Sequence, residues 1–228
     1  MAETPLIGIG LYTVPEAARL TGISVPRIRR WLAGYRHGRG ADTHASAPLW
    51  HPEVPKFGSK VELSFRDLME LRFVHLFLEQ GLSLQAIRRA IQKAVDVFGI
   101  ERPLSTQRFR TDGRSIFLEV AGEIDEPRLF DLKRDQYLFH RMVAPSFKDI
   151  DFEKGIPVRW WPLAGRKAIV LDPKRSFGKP ILARSGVPAA ALADAYQVRH
   201  SFKQVGLDFD VPEKEVREAV AFQERLAA

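Results

Sequence analysis

Thr13-Val14-Pro15-Glu16-Ala17-Ala18-Arg19-Leu20-Thr21-Gly22-Ile23-Ser24-Val25-Pro26-Arg27-Ile28-Arg29-Arg30-Trp31-Leu32-Ala33 decides how the chain begins to fold. Thr13 and Glu16 have capping-box spacing: the Thr oxygen accepts from the orphan amides of a first turn, and the Glu carboxylate reaches back to the cap amide. Pro15 suits that first turn, so the spacing predicts a helix from Pro15 to about Leu20. Gly22 interrupts it, Ser24 offers a second cap, and Pro26 opens a helix to about Ala33. Two short helices around Thr21-Gly22-Ile23 have the sequence form of a helix-turn-helix. On a wheel of about 100° per residue, Val25, Ile28, Trp31 and Leu32 share an arc of about 120°. Arg27 and Arg30 fall outside that arc, and Arg29 lies at its margin. An apolar back and an arginine front suit a helix lying in a DNA major groove, where guanidinium groups reach guanine edges and phosphates. They equally suit a surface helix with an ordinary solvated basic face.

Working outward, residues 34–60 are rich in Gly, Pro, His, Ser and Ala and are too long for a tight connection. They read as a wing, a hairpin with a mobile tip, whose Arg36 and Arg39 track a phosphate backbone. His44 and His51 stand near Asp42 and Glu53, but no spacing among them matches a metal-ligand pattern. Ser64-Phe65-Arg66-Asp67 is another capping box, starting a helix to about Glu79. Its apolar residues occupy most of the circumference, which predicts a central helix or half of a subunit interface. Ser83 caps the next helix, whose Leu84, Ile87, Ala90, Ile91, Ala94, Val95 and Phe98 follow helical spacing. Arg88, Arg89 and Lys93 form its solvated polar face.

After Pro103 the pattern reads as alternating. Phe109-Arg110-Thr111, Asp112-Gly113 and Ile116 to Val120 predict strand, turn, strand. A short helix is expected from Asp135 to about Pro145. A second hairpin is expected over 147–152 and 157–162, followed by a strand at Ala168 to Leu171. Trp160 and Trp161 would then face opposite ways, one inward and one against a neighbouring domain or chain. Beyond the Asp172 to Pro180 punctuation, Pro188 opens a helix to about Arg199, and Ser201 caps one ending near Leu207. Asp210-Val211-Pro212-Glu213 repeats the N-terminal capping pattern before a last helix. The expected fold is α+β and mainly α. It has three blocks: 1–103 as the winged helix-turn-helix, 104–171 as a β-containing middle region, and 172–228 as a three-helix module.

Charge and composition narrow the function. Thirty-five Lys and Arg against 28 Asp and Glu leave +7, and residues 1–40 alone carry six Arg against two Glu. The basic excess therefore sits where the helix-turn-helix is expected, whereas 172–228 carries nine basic and eight acidic residues. The absence of cysteine excludes disulfide scaffolds, thiolate zinc sites and cysteine nucleophiles. No stretch has the length of apolar sequence that crosses a bilayer, so a soluble, cytoplasmic protein is expected. A metal-dependent nuclease could use Asp112, Glu119, Asp125, Asp131, Asp149 and Asp151, but they lack a repeated spacing. No nucleophile-base arrangement or phosphate-cradling glycine loop appears either. No enzyme, cofactor or metal is expected.

Residues 12–93 resemble the MerR-like winged helix-turn-helix. Tyr12 to Ser24 matches its first helix and turn, Ile28-Arg29-Arg30-Trp31 its second helix, and Leu63 to Ile91 its two-helix extension. No long dimerising helix or cysteine ligand follows, which sets the chain apart from effector-sensing MerR regulators. A resemblance covering nearly the whole chain is to VapB-type antitoxins, in which such a domain is joined to a C-terminal helical domain of the DUF class. It is carried by Arg30-Trp31-Leu32-Ala33-Gly34-Tyr35, Arg108 to Gly113, Asp172-Pro173 with Phe177-Gly178-Lys179-Pro180, and Val216 to Phe222.

That resemblance implies a DNA-binding antitoxin that neutralises a PIN-like ribonuclease toxin by direct binding and autoregulates its operon. Operator contacts are expected from Arg27, Arg29, Arg30, Arg36 and Arg39. PIN-like nucleases gather carboxylates around a divalent metal, so a basic side chain from the antitoxin can take the place of metal or RNA phosphate. Lys174, Arg175, Lys179, Arg184, Arg199 and Lys203 are the candidates, Lys174 and Arg175 first; as the plainer reading, they are solvated charges. A homodimer is expected because helix-turn-helix proteins commonly read two half-sites. The competing expectation is a MerR-like transcription regulator holding a small effector among Trp160, Trp161 and Tyr137.

Overall fold

The chain is α+β and mainly helical in the computed structural model, which describes residues 7–37, 44–55, 58, 60–124, 127–135 and 137–227. The order is β1 (Tyr12–Thr13), α1 (Val14–Thr21), α2 (Val25–Ala33), β2 (Tyr35–His37), β3 (His44–Ser46), β4 (Glu62–Leu63), α3 (Phe65–Glu79), α4 (Leu84–Phe98), α5 (Gln107–Ala121), α6 (Pro127–Arg134), α7 (Leu138–Lys148), β5 (Ile150–Glu153), β6 (Ile156–Trp160), β7 (Ile169–Val170), β8 (Ile181–Leu182), α8 (Ala189–Arg199), α9 (Phe202–Asp208) and α10 (Glu213–Ala227). Two compact units divide the chain. The larger holds residues 13–148 and 152–157; the C-terminal unit holds 1–12, 149–151 and 158–228.

In the larger unit, local capping sets the first helices. The Glu16 amide donates to the Thr13 hydroxyl, and the Thr13 amide donates to the Glu16 carboxylate at 2.8 Å, so α1 starts at the predicted box. Gly22 ends it with φ 74°, a conformation that a Cβ disfavours, and its amide returns to the Ala18 carbonyl. Ser24 occupies the cap position of α2, but its side chain makes no capping bond. Its carbonyl instead accepts from the Arg27 and Ile28 amides, which corrects the expectation of a side-chain cap. Gly34 (φ 71°) must be glycine, because a Cβ there would lie 2.4 Å from the Ser46 carbonyl oxygen. The chain then enters the antiparallel β2–β3 hairpin in the register Tyr35↔Ser46 and His37↔His44.

Ser64 and Asp67 form the second box, and α3 is buried on most sides. Its apolar circumference is satisfied inside the chain. Phe73 packs edge-on to Phe147 of α7 at 4.7 Å, and Phe77 against Phe117 of α5 at 5.3 Å. The central-helix alternative therefore accounts for α3, and no partner subunit is needed to cover these rings.

Residues 107–121 correct the predicted strand-turn-strand: they form one helix. Phe109, Gly113, Ile116, Phe117 and Val120 are its buried stripe, at helical rather than alternating spacing. Asp112-Gly113 is no turn. Gly113 is a point of close packing, where a Cβ would lie 2.7 Å from the Phe139 ring. Thr106 starts α5 by accepting from the Phe109 amide. The helix α6 has no counterpart in the sequence reading, and α7 runs past Pro145 to Lys148.

The hairpin β5–β6 falls close to the expected place. Its Lys154-Gly155 turn has φ 50° and 79°, the double left-handed geometry of two-residue hairpin loops.

In the C-terminal unit, β7 pairs antiparallel with β8, and Trp160 exchanges backbone bonds with Leu171. The helices α8, α9 and α10 follow at the expected positions, with Ser201 capping α9 through the Gln204 amide. Asp210 is not a cap: it has φ 52°, and the Pro212 carbonyl accepts the first bond of α10 from Val216. The left-handed step lets the chain pass so close to Gly206 that a Cβ there would meet the Val211 carbonyl oxygen at 2.8 Å.

Candidate functional site

The helix α2 separates its side chains as the wheel requires. Ile28, Trp31 and Leu32 are buried, and Arg27, Arg29 and Arg30 are exposed. The three arginines differ in surroundings. Arg30 lies over the Tyr35 ring at 5.3 Å, which ties the end of α2 to the first residue of the hairpin. Arg29 lines a depression with Thr13, Pro15, Leu32 and Lys60. Arg27 makes no ion pair with a described residue, and neither does Arg29. Arg36 belongs to β2, whereas Arg39 and Asp42 lie outside the described residues.

The hairpin has a neighbour that local spacing does not reveal. Arg88 was expected on the solvated side of α4, but its Nη2 donates to the Ala47 carbonyl at 3.3 Å. Tyr35, Ser46, Ala47, Gln85 and Arg88 line one depression beside the hairpin, and the buried Arg88 Nε has no hydrogen-bond partner among the described residues. Only folding the hairpin onto α4 reveals this. The other two expected surface cations are paired, Arg89 with Glu123 at 3.2 Å and Lys93 with Glu119 at 2.7 Å.

A buried polar cluster holds the frame beneath. The Asp67 carboxylate accepts from Trp50 Nε1 (3.0 Å), the Glu53 amide (3.0 Å), the Ser64 amide (3.0 Å) and Arg102 Nε (2.6 Å). Burial opposes the Arg102 charge, but the adjoining Asp67 carboxylate together with Glu53 and Glu101 offsets this and pushes its pKa above the ordinary value. One turn along α3, the Glu70 carboxyl accepts from the Leu104 amide and from the amide and hydroxyl of Ser105. Burial pushes Glu70 up to about 7, against the opposing effect of those hydrogen bonds. Asp67 and Glu70 thus anchor the segment leading into α5. No local motif marks Trp50, Glu70 or Arg102 as members of this cluster.

In the C-terminal unit, the six expected partner-binding cations separate into groups. Lys174, Arg175 and Lys179 flank a left-handed turn formed by Ser176 (φ 46°), Phe177 (φ 52°) and Gly178 (φ 79°). The Arg175 guanidinium lies against the 183–186 turn, with Nη1 3.5 Å from the Ala183 carbonyl oxygen. Lys179 sits over the Tyr12 ring at 5.6 Å. Arg184 and Lys203 line a depression with Leu207, Asp210, Glu213 and Glu215, so their charges have acidic neighbours. Arg199 is paired with Asp208 at 3.0 Å.

Four of the six acidic residues that a nuclease could use are engaged in ion pairs: Asp112 with Arg108, Glu119 with Lys93, Asp131 with Arg128, and Asp151 with Arg159 and Lys167. Asp149 gives its carbonyl to the Trp161 amide, and Asp125 lies outside the described residues. Among the described residues, no three His, Asp or Glu gather as a metal site. Trp160 is buried, Trp161 lies half-buried under Lys167, and Tyr137 is exposed. No helix among the described residues is long and apolar enough to cross a membrane.

No family model matches the chain. Over 223 residues it is 26% identical to a Mycobacterium tuberculosis protein named "Putative antitoxin VapB45", a match covering 93% of each chain. Its fold is similar to that of the X-ray crystal structure of Rv2018 from Mycobacterium tuberculosis, with a TM-score of 0.66 and 23% identity over 96% of this chain and 98% of that one.

Proposed function

We propose that this chain is a non-enzymatic, DNA-binding antitoxin of a type II toxin-antitoxin system. In this reading α1, α2 and the β2–β3 hairpin act as a winged helix-turn-helix on the operator of their own operon. The observation that carries it is the division of α2 into a buried face of Ile28, Trp31 and Leu32 and an exposed face of Arg27, Arg29 and Arg30. Arg27 and Arg30 read base edges, and Arg29 with the wing's Arg36 and Arg39 meets phosphate. Arg88, in the depression beside the hairpin, adds one more cation on α4. Two copies bind as a homodimer on two half-sites.

The C-terminal unit, with α8 to α10 as its helical module, holds a PIN-like ribonuclease toxin and delivers a cation to its carboxylates. Likeness along nearly the full length to a protein named as an antitoxin supports this half of the reading.

The test pairs two assays on the full chain. In a promoter gel shift, R27A/R30A should weaken operator binding while circular dichroism stays native. In growing cells, co-expression of that same variant with the product of the adjacent reading frame should still rescue growth. Unchanged operator affinity would refute the groove assignment, and failure of the unmutated chain to rescue would refute the antitoxin assignment.

A further inference from the structure

The turn at 176–178 holds a large ring outside the protein at a position poorly suited to it. Phe177 has φ 52° and ψ 29°, left-handed backbone that is unfavourable for any residue with a Cβ and is ordinarily given to Gly or Asn. The residue is 63% exposed, and its ring makes no ring contact with a described residue. The backbone around it, by contrast, is held from both sides. The Leu11 amide donates to the Phe177 carbonyl at 2.9 Å, and the buried Tyr12 hydroxyl donates to the Gly178 carbonyl at 2.6 Å. The Gly178 and Lys179 amides close the turn onto Arg175 and Ser176. Tyr12 also occupies the space of any side chain at 178, since a Cβ there would lie 2.3 Å from its hydroxyl. The turn is therefore rigid before anything binds.

Its neighbours along the chain are basic. Residues 173–179 contain Lys174, Arg175 and Lys179 and no acid, while Asp172 behind them is buried and occupied by Arg159 and the Lys174 amide. A preorganised exposed aromatic next but one to an exposed arginine, Arg175, is the composition of an interface anchor. Phe177 is also the only aromatic residue between Trp161 and Tyr196. A single ring provides no succession of stacking platforms for the bases of a nucleic acid, which favours a protein partner.

We infer that Phe177 is the anchor by which this chain docks its partner protein: the ring enters an apolar pocket, and the exposed Arg175 meets a carboxylate at its rim. The inference rests on the antitoxin reading for the partner's identity, a nuclease rich in carboxylates, and adds the residue that holds it.

Calorimetric titration of the full chain against the product of the adjacent reading frame tests this, with an oligouridine as second probe. The unmutated chain and Phe177→Tyr should bind alike. Phe177→Gly should bind at least about 30-fold more weakly, the loss that marks an anchor, with a melting temperature no lower than that of the unmutated chain because glycine relaxes the turn. Undiminished binding by Phe177→Gly overturns the anchor and leaves the antitoxin reading standing, whereas no binding by the unmutated chain overturns both. A loss confined to oligouridine makes the ring a stacking platform and overturns protein docking. A lowered melting temperature assigns the ring a structural role and overturns the proposal too.

Discussion

Charge is used in opposite ways on α2 and α3. Arg27, Arg29 and Arg30 stand exposed, whereas Asp67 and Glu70 are buried one turn apart with their carboxyl groups hydrogen-bonded. An exposed guanidinium costs the fold almost nothing, so its position is available for recognition. A buried carboxylate must have its partners in place or the fold loses stability. The difference separates residues whose loss should abolish an interaction from residues whose loss should abolish the structure.

The sharpest way to break this contrast is to remove the buried cation. Arg102→Ala leaves the Asp67 charge in the core without its ionic partner and should cost about 3 to 5 kcal/mol, read from urea unfolding. A loss under about 1 kcal/mol, the worth of a surface pair, would place the two helices in one class.

Glu70 should give stability a pH dependence of the next size. Its folded pKa of about 7 lies above the ordinary 4.5, so the fold favours the protonated form. Its contribution is fully present below about pH 4.5 and is lost as pH rises to about 7, a change of roughly 3 kcal/mol. Comparing unfolding of the unmutated chain and Glu70→Gln across that window isolates it: the difference should change with pH in this direction and level off above pH about 7.

On α2 the expected effects concern binding. Arg27→Ala or Arg30→Ala should each cost about 1 to 3 kcal/mol of operator affinity for a base contact. Arg29→Ala should instead lower the salt slope by about one unit as a phosphate contact. Melting temperatures of all three should stay near that of the unmutated chain, and a marked drop in any would move that arginine to the structural class.

The smallest effect compares the helix starts directly. Ser64→Ala removes a formed capping bond and should cost about 1 kcal/mol, while Ser24→Ala removes none and should cost close to nothing. Thermal unfolding of the pair measures the difference.

Helix starts with complete boxes were legible because every participant lies within three residues: Thr13 with Glu16, and Ser64 with Asp67. The exposed arginine face of α2 was legible for the same reason, since a helix wheel needs only local spacing. Ser24 shows the limit, because a suitable residue in the cap position leaves its hydroxyl unused.

The sequence by itself thus determined the starts of α1, α3 and α4, the reversal at Gly22, and which side of α2 carries charge. Tertiary structure decided whether Phe109 to Val120 formed strands or a helix, because Gly113 acts as a turn residue or a packing contact according to whether the Phe139 ring lies against it. It also decided that Asp67 and Glu70 reach Arg102 and Ser105, 35 residues along the chain in both cases. Leu11 and Tyr12 hold the backbone of the Phe177 turn, contacts that no local pattern marks because Tyr12 and Gly178 are separated by 166 residues. Capping and periodicity act over a turn of chain and are written in neighbouring residues, whereas burial, close packing and backbone strain depend on which distant atoms share a space.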